Sequence, residues 1–111
     1  MPHGDLTEKD LDVEEKKVFG RIIDMWSLGD PSNPYSYSTQ SAILEYAVKD
    51  GLTEERALKI LKDLEERDLI QREESKGQVR IKYRVEAAHI VRELQKTTYV
   101  NSRDRFKPLH R

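Results

Sequence analysis

The sequence predicts a mainly α chain with a small β-hairpin (an α+β fold): a three-helix core, then the hairpin, then a C-terminal helix. Three observations lead there. Between Gly51 and Ile70, residues Ala57, Ile60, Leu61 and Leu64 recur at helical spacing and make one apolar stripe. Beyond it, Val79, Ile81, Tyr83 and Val85 alternate with Arg80, Lys82 and Arg84, the period of two that marks a half-buried strand. Ahead of it, only a few residues separate this helix from the one before, and so short a turn makes two helices cross steeply.

The elements follow in order. Residues 1–11 are polar and acidic and are expected to fray. From about Asp12 to Leu28 the pattern is helical, with Val18, Phe19, Ile22, Ile23, Met25 and Trp26 forming a wide apolar wall behind an opening of Glu14, Glu15, Lys16 and Lys17. Gly29 suits a left-handed cap there and Pro31 blocks continuation. The stretch Asp30–Ser38 is a loop by composition, with Tyr35 and Tyr37 as lids on the core. Ser38 or Thr39 caps a second helix whose inner face is Ile43, Leu44, Ala47 and Val48, and which ends at Asp50-Gly51.

Thr53 caps the third helix, and Glu54 and Glu55 in its first turn suit the helix dipole. The hairpin has arms at 71–74 and 78–85 around Ser75-Lys76-Gly77, with its basic face toward solvent. A fourth helix runs from Glu86 to about Lys96, with Ala87, Ile90, Val91 and Leu94 inward. The expected division is a loose leader at 1–11, one domain at 12–97 and a basic tail at 98–111 carrying Arg103, Arg105, Lys107 and Arg111.

Composition narrows the functional classes. A chain of 111 residues makes one domain with one modest core. Its hydrophobic share of 36% is low and its charged share of 37% is high, as in a small domain with much surface. It has no cysteine, which rules out disulfides and thiolate metal sites and suits a reducing compartment. No apolar run approaches the roughly 18 residues that span a bilayer, and the N-terminus has no apolar signal core. An intracellular protein without a membrane partner is expected. The net charge of −1 conceals a gradient. Residues 1–70 hold 9 Lys and Arg against 16 Asp and Glu, a net −7, whereas residues 71–111 hold 11 against 5, a net +6. It is this distribution that bears on nucleic acid.

Helix, helix, tight turn, helix, hairpin is the order of a winged helix-turn-helix domain. The string DGLTEERALKILKDLEERDLI resembles the helix-turn-helix signature of GntR- and MarR-type regulators, whose roles fall here on Gly51, Leu52, Thr53, Ala57, Leu61, Leu64, Glu65, Leu69 and Ile70. The span from Ala42 to Ile70 together with IKYRV also resembles the winged-helix tail of archaeal minichromosome-maintenance helicases. The resemblance covers residues 39–85 and departs at Asp68, where the family usually has glycine; aspartate tolerates the left-handed region better than most residues.

The resemblance implies a DNA-binding transcription regulator. Double-stranded DNA would meet the third helix at Arg56, Lys59 and Lys62, and the hairpin at Arg72, Lys76, Arg80, Lys82 and Arg84. The same scaffold serves protein binding, so a protein partner or a homodimer is the alternative. For that alternative speak the acidic first half of the chain, Glu54 and Glu55 at the third-helix start, and Leu58 near the edge of its stripe, whereas the i,i+4 pairs Glu55–Lys59, Lys59–Asp63 and Lys62–Glu66 fit a plain solvated, salt-laced face. Catalysis and cofactors are not expected. His3, His89 and His110 lie far apart, the five glycines are scattered, and the serines at 32–41 have no base placed to activate them.

Overall fold

Three of the four α-helices among the described residues start at a side-chain oxygen that the sequence supplies. The computed structural model describes residues 7–28 and 38–100. Helix α1 spans Val13–Leu28. Just ahead of it, Asp12 accepts the Glu15 N–H at 2.7 Å while Glu15 accepts the Asp12 N–H at 2.9 Å. This reciprocal capping box satisfies two donors that the first turn leaves without helical partners. Helix α2, Gln40–Lys49, is capped by Thr39, whose hydroxyl accepts the Ala42 N–H at 3.2 Å. Helix α3, Glu54–Glu66, is capped as expected by Thr53, which accepts the Arg56 N–H at 3.1 Å.

The exits are also set by sequence. After α2, Gly51 adopts φ +96°, and the chain closes with Gly51 N–H to Val48 C=O at 3.0 Å and Leu52 N–H to Ala47 C=O at 2.9 Å. That pair of bonds is a Schellman motif, which needs a left-handed residue at the turn. The same motif ends α3 with Asp68 at φ 60°: Asp68 N–H reaches Glu65 C=O and Leu69 N–H reaches Leu64 C=O, both at 3.0 Å. The buried residue after each turn, Leu52 or Leu69, returns the chain to the core.

Leu69 leads straight into the sheet. Strands β2 (Ile70–Ser75) and β3 (Gln78–Tyr83) form an antiparallel hairpin in which Arg72 faces Ile81 and Ser75 faces Gln78. The turn is two residues, Lys76 at φ 53° and Gly77 at φ 78°. Two positive φ angles are the mark of the type I′ turn, whose twist matches that of the strands. A third, two-residue strand β1, Ser38–Thr39, pairs antiparallel with β3 through Ile81 and Arg80, so the order is β1-β3-β2. The sequence predicts Ser38 or Thr39 as a cap and no strand there.

Three further expectations are corrected. Val48, expected on the inner face of α2, is 52% exposed. The second arm stops at Tyr83, and Val85 is 86% exposed in a 3-10 turn at Val85–Ala87. Helix α4 then covers Ala88–Leu94, a shorter span than expected.

The fold is thus mainly helical with one small antiparallel sheet. Phe19, Ile22 and Ile23 of α1, Ile43 of α2, Ile60, Leu61 and Leu64 of α3, and Ile70 and Ile81 of the sheet are fully buried together. Two residues outside the expected domain join them or close over them. Leu11 is 4% exposed, and Val100 is fully buried. The strand of chain leading to Val100 lies directly on α1, where the Tyr99 carbonyl meets Gly20; a Cβ at position 20 would collide with it. The expected cap at Gly29, the loop with Tyr35 and Tyr37, and the tail arginines lie outside the described residues, as does the side chain of Trp26.

Candidate nucleic-acid interface

With 3.6 residues per turn, α3 divides into four sectors. Ala57, Ile60, Leu61 and Leu64 are buried. Arg56 and Glu65 lie on opposite flanks, each about 90° from the centre of that stripe. Glu55, Lys59, Lys62 and Glu66 make the open face, and all four are exposed.

Both flanks are tied into the molecule. Arg56 Nε donates to Glu14 Oε1 at 2.7 Å, and its Nη2 reaches Asp12 Oδ2 at 3.3 Å. The hydrogen bond to Glu14, with the charges of Glu14, Asp12 and Glu15, raises the Arg56 pKa further above its ordinary value. At the far end, Arg67 Nη2 donates to Glu15 Oε2 at 2.9 Å, and Glu15 is buried. The acidic first turn of α1 therefore clasps α3 at both ends. On the other flank, Arg72 of β2 donates to Glu65 Oε1 at 2.8 Å and 3.1 Å and to Gln40 Oε1 of α2 at 3.0 Å.

The register explains why Arg72 turns inward. Directly opposed residues share a sheet face. Arg72 faces Ile81 and Ile70 faces Tyr83, so Arg72 lies on the face that packs on the helices. Gln71 faces Lys82 and Glu73 faces Arg80, which puts Arg80 and Lys82 on the outer face. There Glu73 accepts from Gln71 Nε2 at 2.7 Å and pairs with Lys82 Nζ at 3.7 Å. Arg84 lies past the strand end and pairs with Glu86 at 3.4 Å. Lys76 stands exposed at the hairpin tip.

The eight candidate residues therefore separate. Arg56 and Arg72 hold elements together. Arg80 and Lys82 share the outer sheet face, with Glu73 between them. Lys59 and Lys62 share the open face of α3 and form no ion pair with another described residue; the expected i,i+4 pairs with Glu55, Asp63 and Glu66 are not made.

Three structural contacts lie outside what the sequence predicts. The Asp12-x-x-Glu15 spacing was legible as a capping box. The shared parity of Ile70 and Arg72 placed that arginine on the inner face. The bidentate pair of Arg21 Nε and Nη2 with the Asp50 carboxylate, at 3.0 Å and 2.9 Å, joins residues distant in sequence and left no local signal. That hydrogen bonding holds the Asp50 carboxyl below the usual carboxylate range.

No helix among the described residues is long and apolar enough to cross a membrane. No protein-family model, curated protein or solved structure matches the chain.

Proposed function

We propose that the chain is a winged helix-turn-helix domain that binds duplex DNA as a transcription regulator, through the open face of α3 and the tip of the hairpin. The order α1-β1-α2-α3-β2-β3, with a Schellman turn joining α2 to α3, supports the scaffold. The observation that carries the function is the state of Lys59 and Lys62. They stand exposed on the helix that follows the tight turn, while Arg56 on its flank is occupied by acids.

Lys59 and Lys62 meet phosphates or base edges in the major groove, and Lys76 meets the backbone beside it. Arg80 and Lys82 add long-range attraction rather than direct readout, because they belong to a different surface. Each lysine or arginine on a phosphate releases counterions, so affinity falls with salt at a log-log slope of about −0.9 per contact.

A second reading is a protein-docking module on the same scaffold. Glu55 and Glu66 make the open face of α3 electrically neutral, and Leu58 at its edge is 36% exposed. A titration of random and mixed duplexes at several salt concentrations decides between the two. Binding whose slope flattens by about 1.8 in a Lys59→Ala, Lys62→Ala double variant supports the DNA reading. Complete lack of binding at low salt overturns it in favour of a protein partner.

A further inference from the structure

A second cationic surface lies away from α3 and the hairpin. The 3-10 turn at Glu8–Asp10 packs against α4, and a groove of about 460 Å³ opens between them, lined by Thr7, Lys9, His89, Arg92, Glu93 and Lys96. None of these residues belongs to the DNA-contact set. Positions 89, 92 and 96 are spaced i, i+3 and i+7, which puts their side chains on one side of α4 and its last turn.

The charges in the groove do not cancel. Lys96 pairs with Glu93 at 3.3 Å. Asp10 is not a lining residue; its carboxylate is bound to Thr7, accepting the N–H at 2.7 Å and the hydroxyl at 3.4 Å. Lys9 and Arg92 are both exposed and form no ion pair with another described residue. In this respect Arg92 differs from Arg21, Arg56, Arg67, Arg72 and Arg84, each of which holds a carboxylate.

We infer that this groove is a binding site for a small phosphomonoester, with Arg92 and Lys9 as its two phosphate ligands. A phosphomonoester carries a charge of about −1.5 to −2 at neutral pH, which matches the two uncompensated cations. A guanidinium presents its donors in a fork that fits phosphate oxygens two at a time, and an ammonium adds a point charge. The groove volume lies within the range of small-ligand sites, roughly 300–1,000 Å³. Thr7 and His89 form part of the groove wall around the organic part.

The test is an NMR titration of the full chain with a nucleoside 5′-monophosphate, against sodium chloride at matched ionic strength. Saturable shifts confined to Thr7, Lys9 and residues 89–96 are expected. Arg92→Gln and Lys9→Gln each weaken the affinity by about tenfold, the weight of one charge-assisted hydrogen bond. Shifts reproduced by chloride, or unchanged in both variants, overturn the inference. Displacement of the monophosphate by duplex DNA from the wild type overturns it too, since the groove would then be a further backbone contact. The DNA titration with Arg92→Gln keeps the two readings apart: its salt slope stays that of the wild type, whether or not the monophosphate binds.

Discussion

The Arg56 guanidinium donates to the Glu14 carboxylate at 2.7 Å, so the first arginine of α3 is spent on the first turn of α1. A basic residue at the start of such a helix invites reading as a DNA contact, and the geometry gives it a different task. Arg56→Ala is expected to lower the melting temperature and leave the salt slope of DNA binding unchanged. If Arg56 met a phosphate directly, the slope would lose about 0.9. Thermal melts beside a salt titration measure both, and Glu14→Gln should reproduce the melting change alone.

Gly20 reports on the Tyr99-Val100 segment, a strap that lies over α1. In the interior of a helix, glycine to alanine ordinarily gains about 0.8–1 kcal/mol. Here the added Cβ meets the Tyr99 carbonyl, so the strap must lift and Val100 must leave the core. Exposing a buried valine and repacking around it costs about 2 kcal/mol. Gly20→Ala is therefore expected to destabilise, against the usual sign. Urea denaturation gives the sign, and limited proteolysis near Tyr99 shows whether the strap has lifted.

The same residues show what a sequence makes legible. The stripe of α3, the cap at Thr53 and the left-handed turn at Asp68 were readable because each depends on a few adjacent side chains. Strand β1 was not, since two polar residues have no period and are fixed by pairing with Ile81 and Arg80. Val100 looked like part of a charged tail because a lone apolar residue gives no pattern; glycine inside the apolar stripe of α1 was the available signal of a close approach. The candidate site was half legible. Its basic residues can be named from the sequence, but that Arg56 and Arg72 are held in ion pairs depends on Glu14 and Glu65, brought in by tertiary packing.

Asp50 sets a pH dependence. Its bidentate bond to Arg21 lowers the carboxyl pKa in the folded protein below that of an unfolded aspartate, about 3.9. The stabilisation is therefore present above about pH 4 and is lost as pH falls through the lower, folded value. Asp50→Asn keeps the shape and removes the charge, at a cost of about 1 kcal/mol near neutrality. Denaturation midpoints between pH 2 and pH 7 should converge for wild type and variant at the acid end. Parallel curves across that range would mean that the pair contributes no linked stability.

The hairpin tip separates stability from binding in one substitution. Lys76 holds φ 53°, a left-handed conformation that costs a lysine about 1 kcal/mol and suits asparagine far better. Followed by Gly77, asparagine gives the pair that type I′ turns favour most strongly. Lys76→Asn is therefore expected to raise stability by about 0.5–1 kcal/mol. If the tip also meets the DNA backbone, the same change removes one phosphate contact and flattens the salt slope by about 0.9. A more stable protein that binds DNA less tightly is a combination that loss of fold cannot imitate. A more stable protein with unaltered binding would confine the DNA contacts to Lys59 and Lys62 on α3.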